Sequence, residues 1–153
     1  MAIVGTPRTF DKSFAFVIEI DGFFSFGFSK CSPLTCAIAE IKHYEGGTLI
    51  PNKSAGRLDF KDITLERGAT RDLDMFLWFG NAANAPANIG LKEFGYKRHL
   101  DIVQLDRDGE PLKRWSLFNA WVKEFTAGEW NNGEDANVIE KCVLAYDYFI
   151  RTL

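Results

Sequence analysis

Apolar and polar residues alternate along most of this chain, and helical spacing appears convincingly only once. Ser13 to Ile20 predicts a strand with Phe14, Phe16, Ile18 and Ile20 on one face and Ala15, Val17 and Glu19 on the other. Asp21-Gly22 is a hairpin turn signal, and Phe23 to Phe28 reads as the return strand. Leu34 to Glu45 predicts a long third strand, apolar on both faces at first and mixed with charge later. It breaks at Glu45-Gly46-Gly47, crosses a polar span from Pro51 to Gly56, and resumes as a strand over Arg57 to Leu65. Glu66-Arg67-Gly68 then turns the chain.

The helical spacing lies in Arg71 to Phe79, where Leu73, Phe76 and Leu77 recur on one side. Thr70 is the expected N-cap, Asp72 and Asp74 suit the helix dipole, and Gly80 is the expected stop. Residues 81–95 form a small-residue excursion, with a further helical turn expected at Leu91 to Tyr96. His99 to Leu105 and Leu112 to Phe118 pair as a hairpin around Asp106-Arg107-Asp108-Gly109. Asn119 to Gly133 reads as a long connection holding Trp121 and Trp130, and Val138 to Tyr148 as a last long strand. About seven strands and one helix predict a mainly β domain. The expected form is an antiparallel β-sandwich or partly closed barrel with one packed α-helix. The whole chain, 1–153, is read as one domain with a flexible N-terminal arm over 1–12. Strands with mixed chemistry on both faces need their edges covered, which points beyond a free monomer.

Composition narrows the function more than it names it. Hydrophobic residues at 46% and charged ones at 25% exclude a disordered chain. A formal net charge of -3, with no basic run longer than a pair, lacks the footprint of a nucleic-acid binder. Three cysteines, Cys31, Cys36 and Cys142, have no paired spacing, so reduced thiols in a cytosolic product are expected. The first residues carry no signal-peptide pattern, and no apolar run is long enough to span a bilayer.

Candidate chemistry is sparse. His43 and His99 stand in no metal-binding spacing, and Cys31 with Cys36 is a weak ligand pair. Gly46-Gly47 and Gly56 lack the strand–glycine–helix order of a phosphate loop, so they are read as turn and close-approach glycines. Carboxylates such as Asp59, Asp62, Asp101 and Asp106 are plentiful, and solvated strand faces account for them better than acid–base catalysis. Neither a cofactor nor a catalytic residue is expected. Trp121 and Trp130, in a connection surrounded by acids, are candidates for a subunit contact.

The order of these features resembles the tail tube proteins of contractile-tailed phages and the inner tube proteins of related contractile injection systems. The residues that carry it begin with Phe14 to Ile20 and Glu40 to Gly47, the latter ending Tyr44-Glu45-Gly46-Gly47. Asp59 to Leu65 follows, then Leu65-Glu66-Arg67-Gly68 before a helix holding Trp78. Trp115-Ser116-Leu117-Phe118-Asn119-Ala120-Trp121 and Val138 to Tyr148 complete it. The excursion over 81–98 departs from the pattern.

The resemblance implies a homo-hexameric ring that stacks into a tube inside a contractile sheath, with baseplate and tube-terminating proteins at its ends. It implies a lumen that passes protein or DNA cargo, no membrane insertion by this subunit, and assembly in the bacterial cytoplasm as part of a phage virion or phage-tail-like particle. The contact residues it suggests are Tyr44, Glu45, Gly46, Gly47, Pro51, Asn52, Lys53 and Gly56, with Trp121 and Trp130 adding others. The alternatives are a baseplate-proximal tube initiator, a type VI-like secretion ring, a monomeric β-sandwich binding module and a small enzyme.

Overall fold

A computed structural model describes residues 15–21, 27–69, 71, 73–84, 96–133 and 137–153. These residues form β1 (Phe16–Ile20), β2 (Lys30–Cys31), β3 (Cys36–His43), β4 (Asn52–Phe60), β5 (Ile63–Gly68), α1 (Asp74–Asn84), β6 (Arg98–Leu105), β7 (Pro111–Thr126), β8 (Ile139–Ala145) and β9 (Tyr148–Arg151). Every strand pairing is antiparallel, and the described strands do not close into a barrel.

The architecture is built on β7 and the chain that runs back along it. The first half of β7 carries β6 on one side and β9 on the other, while its second half pairs with β8. Since β8 and β9 follow each other closely, residues 139–151 act as one long partner of β7, interrupted at Tyr146-Asp147. Both lines bend at the same level. Asn119 has φ 56°, a conformation that asparagine tolerates better than most residues. Its side-chain amide donates to Asp147 Oδ2 at 2.7 Å, and the Asp147 backbone N–H donates to the Phe118 carbonyl at 2.9 Å. The bend folds a seven-stranded sheet, in the order β1-β6-β7-β8-β5-β2 with β9 beside β7.

The core fills the fold with the inward residues of each strand: Ile18 and Ile20, Leu100, Leu117, Val122, Cys142 and Leu144, and Ile63 and Leu65. α1 packs against β7 and adds Met75 and Trp78, both almost fully buried. The Trp78 indole N–H donates to the Tyr96 carbonyl at 2.6 Å, so its polar edge is satisfied inside. Phe79 stacks on Phe125 at 6.3 Å. On the opposite surface of the sheet, Arg114 donates to Glu19 and to Asp101, each at 2.8 Å. Ser116 donates to the other Asp101 oxygen at 2.7 Å, and His99 Nε2 lies 2.8 Å from it. Burial pushes the Asp101 pKa up, but the hydrogen bonds from Ser116 and Arg114, with His99 beside them, outweigh it and hold the carboxyl below its ordinary value. This network ties β1, β6 and β7 side by side.

Several expected boundaries move, each for a physical reason. Phe14, residues 23–26 of the return strand expected over Phe23 to Phe28, the cap at Thr70, the arm over 1–12 and most of the Leu91–Tyr96 turn lie outside the described residues; Gly27 and Phe28 are described and are not in a strand, and the described partner of β1 is β6. The helix starts at Asp74 and runs through Gly80 to Asn84, since packing on β7 outweighs the ~1 kcal/mol that glycine costs a helix. The strand expected over Arg57 to Leu65 is two strands in two different pairings, β4 with β3 and β5 with β8 and β2. At the corner the Lys61 N–H donates to the Thr35 carbonyl and Lys123 pairs with Asp62. The core-facing parity changes there, from Phe60 to Ile63 and Leu65. Asn119 to Thr126 is strand and not connection, so Trp121 belongs to β7.

Candidate functional site

One element stands apart from the rest. Among the described residues, β3 and β4 form a two-stranded antiparallel ribbon whose strands contact each other and little else except at the root, where Phe60 packs against the core. Every residue of β3 is exposed, and β4 is exposed except at Gly56 and Phe60. Ile38 and Leu58 face each other directly, and each is 58% exposed. Ile41 and Tyr44 are also exposed; at the tip Leu49 is 100% exposed and Ile50 81%. A two-stranded hairpin alone in water is marginally stable, and its outer strand edges present unpaired backbone groups. Exposed apolar side chains gathered on one projection mark it as a candidate interaction site.

Local chemistry shapes the ribbon. At its tip the Thr48 N–H and hydroxyl both reach the Glu45 carbonyl, at 3.2 and 2.8 Å, closing the turn Glu45-Gly46-Gly47-Thr48. Gly47 takes φ 86° there, a value that suits glycine. Along the ribbon the register shifts once: Ile38 pairs with Leu58 but Glu40 with Ala55, so Gly56 and Arg57 together oppose Ala39. This is a β-bulge. Gly56 sits so close to β3 that an added Cβ would stand 2.8 Å from the Ala39 carbonyl oxygen. Lys53 and Glu40 pair at 3.4 Å, but both are well exposed and contribute little.

Tyr44, Glu45, Gly46, Gly47, Pro51, Asn52, Lys53 and Gly56 therefore all lie on this one ribbon. The polar span from Pro51 to Gly56 is not a loop, however: Asn52 to Gly56 is the first half of β4, held by pairing with β3. Trp121 is half-buried in β7, with its ring edge-on to Tyr96 at 6.1 Å. Trp130 is 74% exposed beyond the end of β7. Sequence reasoning missed Ile38, Leu58, Leu49 and Ile50. The available signal was the apolar content of both faces, which a strand in a one-chain sheet does not need. Leu73, Phe76 and Leu77, which the sequence put on the apolar side of the helix, are exposed just before and along α1, while Met75 and Trp78 are the residues it buries.

The remaining concavities offer little chemistry. A cleft of about 730 Å³ opens between the β1–β6–β7 part of the sheet and the Cys31–Cys36 segment, lined by Phe16, Leu34, Ile102, Trp115 and Phe149. Cys31 and Cys36 also line it. Burial pushes the Cys31 thiol up to about 11, and the buried Cys142 thiol up to about 12. Among the described residues no group of three or more His, Cys, Asp or Glu side chains is placed to hold a metal ion, and no helix is long and apolar enough to cross a membrane.

The model of a family described as the T4-like virus tail tube protein gp19 matches residues 12–150. Among solved structures, the chain is similar to the tube-terminating cap of the anti-feeding prophage, with a TM-score of 0.81 at 19% identity over 99% of both chains. It is similar to a chain of the sheath–tube complex of the extracellular contractile injection system PVC, with a TM-score of 0.76 at 20% identity over 93% of this chain and 90% of that one. It also shares its fold with Hcp1 from Flavobacterium johnsoniae, at a TM-score of 0.60 and 14% identity over 90% of this chain and 94% of that one. No curated protein matches it significantly in sequence.

Proposed function

The chain belongs to the family of the T4-like virus tail tube protein gp19, and from that membership we propose that six copies close into a ring and that the rings stack into the rigid inner tube of a contractile tail or injection system. The observation that carries this reading is the uncovered β3–β4 ribbon beside a body whose core is already complete. A heterologous contact in which each copy's ribbon docks on the next closes into a ring when the rotation allows, and stacking then extends it into a tube. The tip with Tyr44, Leu49 and Ile50 reaches the adjacent subunit or ring, and Trp130 adds a further contact.

The similar chains come from a sheath–tube complex, a terminating cap and a baseplate. By analogy the tube formed here runs inside a sheath, starts on a baseplate and ends at a terminator, and its lumen passes protein or DNA. Assembly takes place in the bacterial cytoplasm. The role is mechanical, and catalysis is no part of it. The lower TM-score to Hcp1 favours a tail-type tube over a type VI-like ring.

Negative-stain microscopy of the purified protein across concentration tests this. Hollow rings or stacked tubes are expected as concentration rises. A sample that stays monomeric at high concentration, and in its native particle, overturns the reading.

A further inference from the structure

We infer that Asn132-Gly133 is a site of spontaneous covalent modification, where the Gly133 backbone nitrogen displaces ammonia from the Asn132 side chain, and that the Asn131 side chain holds this reaction back. The reaction needs only a single subunit and does not depend on the tube reading above.

Asn132 is the one asparagine of the sequence that a glycine follows. Asn131, Asn132 and Gly133 are all exposed, in the connection between the end of β7 and the start of β8. Three properties meet there. Glycine has no Cβ, so the nitrogen of residue 133 is open to the side chain before it and the chain around it turns easily. Attack on Asn132 Cγ closes a five-membered ring within one residue, so the reacting atoms are held together by the chain itself. Exposure to solvent lets ammonia leave and lets water complete the reaction.

The bonds balance with water as the only co-reactant. The Gly133 nitrogen gives up its proton and bonds to Asn132 Cγ. The Cγ–Nδ2 bond breaks, and Nδ2 departs as ammonia with that proton. Water then opens the cyclic imide. Attack at Cγ leaves an aspartyl residue at position 132, and attack at the main-chain carbonyl carbon leaves an isoaspartyl linkage with an extra methylene in the backbone. No electrons are transferred, and either product is one charge more negative than the -3 of the sequence.

Asn131 acts on the first step. Its Oδ1 accepts the Gly133 N–H at 2.9 Å, the asparagine turn in which a side chain bonds the backbone two residues on. The nitrogen attacks after losing its proton, and a hydrogen bond made by the protonated form disfavours that loss. The ends of the connection are fixed separately. A Cβ on Gly128 would collide with Val138 Cγ1 and stand 3.1 Å from the Ile139 carbonyl oxygen, so the chain leaving β7 packs directly on the chain entering β8. A change at position 132 lies beyond that contact and leaves the sheet as it was.

Mass spectrometry of the purified full chain tests this. The protein is incubated in mildly acidic and mildly alkaline buffers, and the tryptic peptide Glu124 to Lys141 is compared with that of an unincubated sample. A gain of about 1 Da, from replacement of NH by O, is expected at position 132 on fragmentation. Its rate is expected to rise about tenfold per pH unit, as the anion of a weakly acidic N–H does. Gly133→Ala, whose added Cβ meets Asn131 Oδ1 at 3.4 Å, is tolerated by the turn and is expected to slow the gain about tenfold. Asn131→Ala is expected to speed it about fivefold, the worth of one ordinary hydrogen bond. The urea midpoint of the modified protein is expected to match that of fresh protein. Absence of the gain at position 132 while a synthetic peptide of residues 129–135 converts fully overturns the site. A parental rate in Gly133→Ala overturns attack by that nitrogen, and a parental rate in Asn131→Ala overturns the restraint by Asn131.

Discussion

The folded body and the β3–β4 ribbon treat the same kind of residue in opposite ways. Ile63 and Leu65 are fully buried, each surrounded by strands and helix of its own chain. Ile38 and Leu58, earlier in the chain, are more than half exposed and are paired directly with each other. Both pairs come from strands of similar pattern, so side-chain hydrophobicity alone does not decide burial. The corner at Lys61-Asp62 does, because it hands the chain from a ribbon with no layer beneath it to a sheet that has one. The body's stability is held within one chain, while the ribbon has no such layer beneath it among the described residues.

The comparison breaks most visibly in the body. Trp78→Ala removes a buried indole and its hydrogen bond to the Tyr96 carbonyl, and is expected to cost about 3–5 kcal/mol, read from urea unfolding of the isolated subunit. A loss below ~1 kcal/mol would mean that α1 is not part of the core. Gly56→Ala sets a Cβ against the Ala39 backbone and strains the ribbon locally. Unfolding of the body is expected to stay within about 0.5 kcal/mol of the parent, while tube formation, followed by microscopy, falls sharply. Equal damage to both would erase the distinction between the regions. The smallest effect is expected at Asp101. Its folded pKa lies below the ordinary 3.8, so its contribution is present above that pH and lost as pH falls through the folded value. Asp101→Asn should cost about 1 kcal/mol near neutrality and flatten the acid limb of the stability profile. An unchanged acid limb would show that the network of Arg114, Ser116 and His99 gives the carboxylate no net stabilisation.

Elements made by local alternation were legible in the sequence. Phe16 to Ile20, and His99 to Leu105 with its tight turn at Asp106 to Gly109, fall where the pattern put them. Features made by distant partners were not. Asn52 to Gly56 contains no strong strand former, and it is a strand only because Glu40 to His43 lies beside it. The passage through Asn119 looked like a strand end because its continuation depends on Asp147, 28 residues later. The candidate contact residues from Tyr44 to Gly56 all fall on one projection, and Ile38 and Leu58 on the same projection were not named among them. A residue that will be covered by another copy has the same sequence signature as one covered by its own chain.

The shared strand β7 has a mechanical consequence. Its backbone runs without interruption through the bend at Asn119, from the part of the sheet held by β6 and β9 into the part held by β8. A load applied to one part therefore reaches the other along covalent bonds, with hydrogen bonds and packing needed only to keep the strand in line. Pulling the two parts apart would require peeling β7 from its partners on both sides of the bend, where the Asn119–Asp147 contact pins the two long lines together. A subunit tied in this way carries load between the two parts of its sheet as a strut does.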